Sequence, residues 1–418
     1  MSTPEQLTEH FLLAARGSEA RALGQLVHSC QLVAAVCELV HELQRERGIS
    51  NVFLASAGQE FAEELKQQNG RTNTASDHFC DYLQRVQSGQ DQLWSSARLY
   101  HRIAHVLLQL KDLAELRNSI EQGNLTTAQA TEAWSGLIAE LLSVLFEIAD
   151  IAADAEISRA LVALFHFLQA KEHTGQERAW GCVGFAAEAF DTEILARLQH
   201  LRESQQRCLD VFVRFAEPEE VWFWEQLEQA PAKAELVRMR KVIDALGEGA
   251  AVPHGVSETW FAVATARIDG MRELEEQLSA DLQAMAGERL EKARKALQDN
   301  RSRLEAEPPA EPVSAFSLLL DASSDSEQVP AAGSVRALYD LLQEQADHLQ
   351  QVSDQLEEAR SALTERKLVE RAKGLMMQYQ KMTEEEAFAS LRRAAMEGNC
   401  RLIDVAARVV AAAEKLKG

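Results

Sequence analysis

The sequence predicts an all-α protein: two helical bundles, a linker, then a coiled-coil helix leading into a three-helix bundle. Three observations carry this. No proline occurs between residues 5 and 217, which leaves room for long uninterrupted helices. Apolar residues recur at spacings of three and four, and no convincing period-two alternation appears. Aromatic residues make up only 6% of the chain, with four tyrosines, a composition that disfavours sheet.

The first helix signal opens near Ser18. Leu26, Cys30, Val33, Cys37 and Val40 form a narrow seam suited to lengthwise packing on other helices. Similar periodicity marks residues 99–113, the Ala/Leu-rich run 128–170, 191–214 and 256–305. Breaks are expected at Gly70, Gly123–Asn124, Glu217–Pro218, Gln229–Pro231 and 247–253. Residues 306–334 carry half of the eight prolines among Ser and acidic residues and read as a linker, within which the apolar run 314–320 has no explanation. Leu338, Leu342, Gln345, Leu349, Val352, Leu356, Ala359 and Leu363 then follow alternating steps of four and three, the pattern of a coiled coil over 335–363. A homodimer is the expected use of that seam, and the alternative is one amphipathic helix lying on its own domain. The last stretch, 364–418, reads as three helices, the second opened by a capping box of Thr383 and Glu386 and closed near Gly398–Asn399.

Net charge is −22, distributed unevenly: −16 over 1–305, −10 over 306–359 and +4 over 360–418. Only the C-terminal part could approach a phosphate backbone without strong repulsion. The six cysteines form no CxxC or metal-ligand spacing, which fits a reducing, cytoplasmic setting. The first residues lack a signal-peptide pattern, and no membrane span or membrane partner is expected. No GxGxxG, P-loop, HExxH or GxSxG motif occurs, so neither enzyme activity, a metal nor a cofactor is expected.

The informative feature is where arginines fall on apolar seams. Continuing the first seam beyond Val40 gives Gln44, Arg47, Asn51 and Leu54. A second seam, Leu161, Leu164, Leu168, Lys171, Gly175, Arg178, Cys182 and Phe185, turns polar and then apolar again in the same way. A charged residue on a core-facing stripe is costly unless paired. Two readings stay open on the residues alone. One is a structural salt bridge, to Glu46 or to an acid on another helix. The other is an internal anion site, since guanidinium presents a planar fork matched to a flat oxyanion. The strings QRERG (44–48) and GQERA (175–179) look like copies, one per bundle. A third basic cluster, 237–242, holds Arg238 and Arg240, and periodicity does not choose between them.

HELQRERGISNVFLASAG (41–58) together with FLQAKEHTGQERAWGCVGFAAEAF (167–190) resembles the NIT domain, a helical nitrate- and nitrite-sensing module, across most of residues 20–300. ERKLVERAKGLMMQYQKMTEEEAFASLRRAAMEGN (365–399) resembles the ANTAR domain, a three-helix RNA-binding antitermination module. The combination resembles the nitrate- and nitrite-responsive antitermination regulators of bacterial nitrate assimilation operons. The resemblance implies a NIT-like part over 1–305 whose arginines hold nitrate or nitrite. Arg47 and Arg178 occupy the matching motifs, Arg238 comes next, and Arg240 and Arg45 rank lower. It also implies an RNA-binding surface drawn from Arg366, Lys373, Arg392, Arg393 and Arg401, acting on a leader mRNA with paired hairpins. Ala372 and Gly374 are expected to permit close helix packing, and Met376, Phe388 and Leu391 to lie in the core. A DNA-binding regulator or a dimeric scaffold with purely structural arginines is the alternative.

Overall fold

A computed structural model describes residues 4–88, 94, 96–187, 190–246, 256–306, 333–398 and 400–417, and among them there is no strand. Ten helices cover the first part: α1 (Pro4–Ala55), α2 (Ala62–Ser88), α3 (Ala97–Lys111), α4 (Leu113–Glu121), α5 (Thr127–Ile151), α6 (Ala155–Ala186), α7 (Thr192–Phe215), α8 (Pro218–Gln229), α9 (Pro231–Leu246) and α10 (Val256–Ala306). Three follow: α11 (Gly333–Gln380), α12 (Glu384–Glu397) and α13 (Leu402–Lys417).

Local chemistry sets the boundaries. The run 128–170 is divided because Asp154 caps α6, its Oδ1 accepting from the Ile157 amide at 3.0 Å. Thr126 and Gln129 form a capping box that opens α5, Asp191 caps α7, and Pro218 stands in the first turn of α8. Gly70 does not end a helix: it lies inside α2, where a single glycine costs only about 1 kcal/mol against alanine. The turn after α1 instead uses Ala57 and Gly58, at φ of 52° and 80°. The Thr383–Glu386 box is present at the start of α12. Segment 247–253 and almost all of the linker 306–334 fall outside the described residues.

Helices α1, α6 and α10 pack on one another, with α5 and α2 against α1 and α7 against α6. Leu26, Cys30, Val33, Cys37 and Val40 are all buried, as the seam requires. The largest apolar cluster runs through both halves of this part, from Leu23 to Leu290, and takes in Ala359, Ala362 and Leu363 of α11. A smaller one joins Cys182, Phe185, Leu236, Ile243 and Trp260. By composition α1 is long and apolar enough to cross a membrane, but its apolar side is taken up by this interior.

Helices α11 to α13 enclose their own small core of Ala372, Met376, Ala387, Leu391, Val405 and Val410. Gly374 has open space where a side chain would go, so it is not a close-packing position as the sequence reading expected. Phe388 is buried, yet it packs outside that core, its ring 4.2 Å from the Arg207 guanidinium on α7. The last heptad positions, Leu356, Ala359 and Leu363, are buried, and α11 packs against α6 and α1 of its own chain. Side chains of Leu338 to Val352 lie outside the described residues.

Candidate anion site and effector interface

Helices α1–α5 and α6–α10 carry the same polar pattern twice. Glu46 precedes Arg47, and Glu177 precedes Arg178; both glutamates are buried and turn away from their arginine neighbours toward an outer helix. Arg117 of α4 clamps Glu46 through two bonds, of 2.6 and 2.8 Å. Arg240 of α9 clamps Glu177 through two bonds, of 2.8 and 2.6 Å. Each clamp is braced by an amide on the second helix of its half: Asn73 accepts from Arg117 at 2.7 Å, and Gln205 accepts from Arg240 at 2.9 Å. Arg202 adds a further bond to Glu177, at 2.8 Å. Burial opposes ionisation of Glu177, but Arg240, then Arg202 and Gln205, hold it below the usual carboxylate range.

The two arginines point inward and meet at the crossing of α1 and α6. Arg47 Nη1 donates to Ser135 Oγ on α5 at 2.8 Å, and Arg178 Nη1 donates to Thr265 Oγ1 on α10 at 2.9 Å. Those pairs are 88 and 87 residues apart, which fits a duplicated design. Glycine makes the crossing possible. A side chain on Gly48 would collide with the Arg178 guanidinium, and one on Gly175 would collide with that of Arg47. Trp260 Nε1 donates to the Arg178 carbonyl at 2.9 Å, and the Arg178 guanidinium lies 5.1 Å from the Phe261 ring centre.

The symmetry breaks at the counter-ion. Glu172 of α6 grips Arg47 at 2.6 and 3.1 Å and also accepts from Gln44 and Gln176, each at 2.8 Å. Arg178 has no carboxylate within ion-pair distance among the described residues. Its other donor contact is the Gln44 carbonyl, at 3.0 Å. Burial, then the neighbouring Arg47, pulls Arg178 down to about 10. Two buried guanidinium groups thus share one carboxylate, an excess of one positive charge in a water-poor interior. Next to them, Lys171 is fully buried against Glu275 and His41, and Arg272 also binds Glu275.

The structure therefore brings Arg47 and Arg178 together. Arg240 turns inward to Glu177, whereas Arg238 is exposed and pairs with Glu235 on its own helix. Arg45 is half-buried and stands apart from the seam. The acid on another helix that sequence left unnamed is Glu172. It lies one step round α6 from the seam residue Lys171, so periodicity gave it no signal. Gly48 was visible only as part of a repeated string, and Gly175 also as a position on the second seam.

At the other end, α11 and α12 rest on α6 and α7. Arg366 reaches Gln169 and lies 3.8 Å from Cys208 Sγ, beneath the Phe165 ring. Lys367 donates to Asp150 at 2.7 Å, and Arg392 to Glu203 at 2.5 Å. Lys373 is buried between Glu370 and Glu384 of its own domain; burial opposes its charge, but those acids hold it above the usual lysine range. Arg393 and Arg401 are exposed. Between the two parts lies a cleft of about 1250 Å³ whose walls include Glu172, Gln176, Arg366 and Lys373.

Residues 38–283 match the family described as nitrate and nitrite sensing, NIT, more than half of the chain. The chain belongs to the NIT family. Residues 357–410 match the ANTAR domain. A curated relative, the nitrate regulatory protein of Klebsiella oxytoca, is 32% identical over 97% of this chain and 94% of its own length. A solved structure titled as that of the NasR transcription antiterminator is 31% identical, covers 97% of this chain and 98% of its own, and superposes with a TM-score of 0.62. This NIT–ANTAR chain is thus a nitrate-responsive regulator of transcription antitermination.

Proposed function

We propose that nitrate or nitrite binds between Arg47 and Arg178, and that the resulting repacking of α1 against α6 releases the ANTAR domain to bind a two-hairpin leader RNA. Terminator formation in a nitrate assimilation operon is thereby prevented. The observation that carries this reading is the excess positive charge at the α1–α6 crossing. A small flat monovalent anion neutralises it and accepts from both guanidinium forks. An ion can shift the packing only by binding one arrangement more tightly than the other, and a site made of two facing cations has that property.

Release is the direction the effector interface favours. Arg366 and Arg392 are occupied by groups of the sensor, and Lys373 by its own acids. Phosphate contacts need Arg366 and Arg392 free, and release from the sensor frees them, whereas Lys373 stays with Glu370 and Glu384. Two copies joining through the part of 335–363 ahead of Leu356 fits the same scheme, since Leu356, Ala359 and Leu363 are already buried within the chain and paired hairpins offer two equivalent targets.

The test is calorimetry with nitrate on wild type, Arg47→Ala and Arg178→Ala, folding being checked by circular dichroism, together with leader RNA affinity with and without nitrate. Binding in wild type alone, with RNA affinity raised by nitrate, is the expected result. RNA affinity indifferent to bound nitrate would sink the coupling, and preference for duplex DNA over hairpin RNA would sink the target. Sedimentation of the full chain checks the dimer.

A further inference from the structure

We infer that Glu172 is an intramolecular competitor for the sensed anion: its carboxylate holds the donor fork of Arg47 that a planar oxyanion would take, and must yield it for that anion to bind. The inference rests on the anion site proposed above and assigns its regulation to one residue.

Geometry supports it first. A carboxylate is a flat trigonal centre with one negative charge shared over its oxygens, and nitrate is the same kind of acceptor for a guanidinium fork. Glu172 makes the two-pronged contact, through Nη1 and Nη2 of Arg47. A ligand that engages both arginines competes for those donors.

Comparison with neighbouring buried acids comes second. Glu46 is held by Arg117, Glu177 by Arg240 and Arg202, and Glu275 by Lys171 and Arg272. None of those cations is an inward arginine of the repeated motif. Glu172 is tied to such an arginine, and its other partners are the neutral amides of Gln44 and Gln176. Once Arg47 is satisfied by another anion, no second cation retains Glu172. It is also the least enclosed of these acids, 4% exposed against 0–1% for the others, and it lines the cleft toward α11, so its carboxylate has somewhere to go.

The duplication supplies the third argument. Glu172 stands six residues before Arg178, and the matching place in the first half is His41, which is buried and kept neutral, first by burial and then by Lys171. The acid is therefore not part of the repeated scaffold, where Glu46 and Glu177 recur. It is an addition to one half, and it serves the arginine of the other.

A tethered competitor lowers apparent affinity by the fraction of time it leaves the site open. Removing it must then raise affinity for nitrate, whereas a purely structural salt bridge would lower it. Calorimetry on the full chain with sodium nitrate compares wild type with Glu172→Gln, Glu172→Ala and Glu172→Asp. The Gln and Ala variants are expected to bind nitrate about tenfold more tightly or better, with Asp in between because its shorter reach weakens the grip. Nitrate should also raise the melting temperature of Glu172→Gln by more than that of wild type. Formate should compete with nitrate in Glu172→Ala at concentrations that leave wild type unaffected, since it refills the vacated carboxylate position. Equal or weaker nitrate binding in folded variants overturns the inference and leaves the sensing reading intact. No nitrate binding in wild type or any variant overturns the sensing reading, and the inference with it.

Discussion

Arg47 and Arg178 occupy matching places in the two halves of the sensor, yet their surroundings differ. Each donates to a hydroxyl on the last helix of its half, and each is faced by a glycine of the opposite helix. Arg47 has Glu172; Arg178 has a backbone carbonyl and an aromatic ring. The difference teaches that duplication supplied the frame and that the symmetry is lost at the counter-ion, where the proposed anion site lies. Two equally paired arginines would have no use for a ligand anion, and two unpaired ones would repel each other across a packed crossing.

The comparison is broken most directly by stability. Arg47→Ala leaves the Glu172 carboxylate buried against amides alone, and removing one partner of a buried pair costs about 3–5 kcal/mol. Arg178→Ala removes two hydrogen bonds and a like-charge neighbour and strands no carboxylate, so its cost should stay near about 1–2 kcal/mol. Urea denaturation of both variants is the measurement. Equal losses would mean that the two arginines are balanced after all. Both substitutions should abolish nitrate binding.

The outer clamps should behave alike, with a smaller contrast. Glu177→Ala strands Arg240 and takes one of two acids from Arg202, which keeps Asp244, whereas Glu46→Ala strands only Arg117. The expected costs are about 3 and about 2 kcal/mol. A negligible cost for either would show that the repeated ER pair is not a structural unit.

These halves were partly legible in the sequence. The seam through Leu26 and Val40, the second seam through Leu168 and the shared ER strings located α1, α6 and both inward arginines, because lengthwise helix packing writes itself as period-3.5 spacing. The boundary at residues 152–154 was not legible: its only mark is Asp154, and a single capping acid inside an apolar run is weak evidence. Glu172, Ser135 and Thr265 were beyond reach, since each matters through a contact 87 to 125 residues away that no local pattern encodes. The choice between Arg238 and Arg240 needed the position of Glu177 on another helix.

Gly48→Ala sharpens the comparison at lower cost. The added methyl group meets the movable end of Arg178 rather than backbone, so the helix should survive and the guanidinium should shift. Nitrate affinity is expected to fall about tenfold, worth about 1.4 kcal/mol, with the fold retained by circular dichroism. Gly175→Ala should act the same way through Arg47, but less, because Glu172 restrains that side chain.

The smallest effect tests the place where one half carries His41 and the other Glu172. Lys171, Arg272, Arg45 and Arg178 all bear on His41, and after burial itself they push its proton affinity far below the ordinary histidine value. The folded chain therefore keeps His41 neutral while the unfolded chain protonates it below about pH 6.5. Extra protons then bind only the unfolded state, so this contribution is intact above pH 6.5 and is lost progressively as pH falls below it. At pH 5.5 the loss from His41 is about 1.4 kcal/mol, and a neutral replacement cannot suffer it. His41→Gln should thus lose about 1 kcal/mol less than wild type between pH 7.5 and 5.5 in urea denaturation. Two other histidines, the buried His166 and the half-buried His173, leave the remaining pH dependence in place. An unchanged pH dependence would mean that His41 takes up its proton alike in the folded and unfolded chain, which would add positive charge at the crossing at low pH rather than leave Arg178 as its uncompensated member.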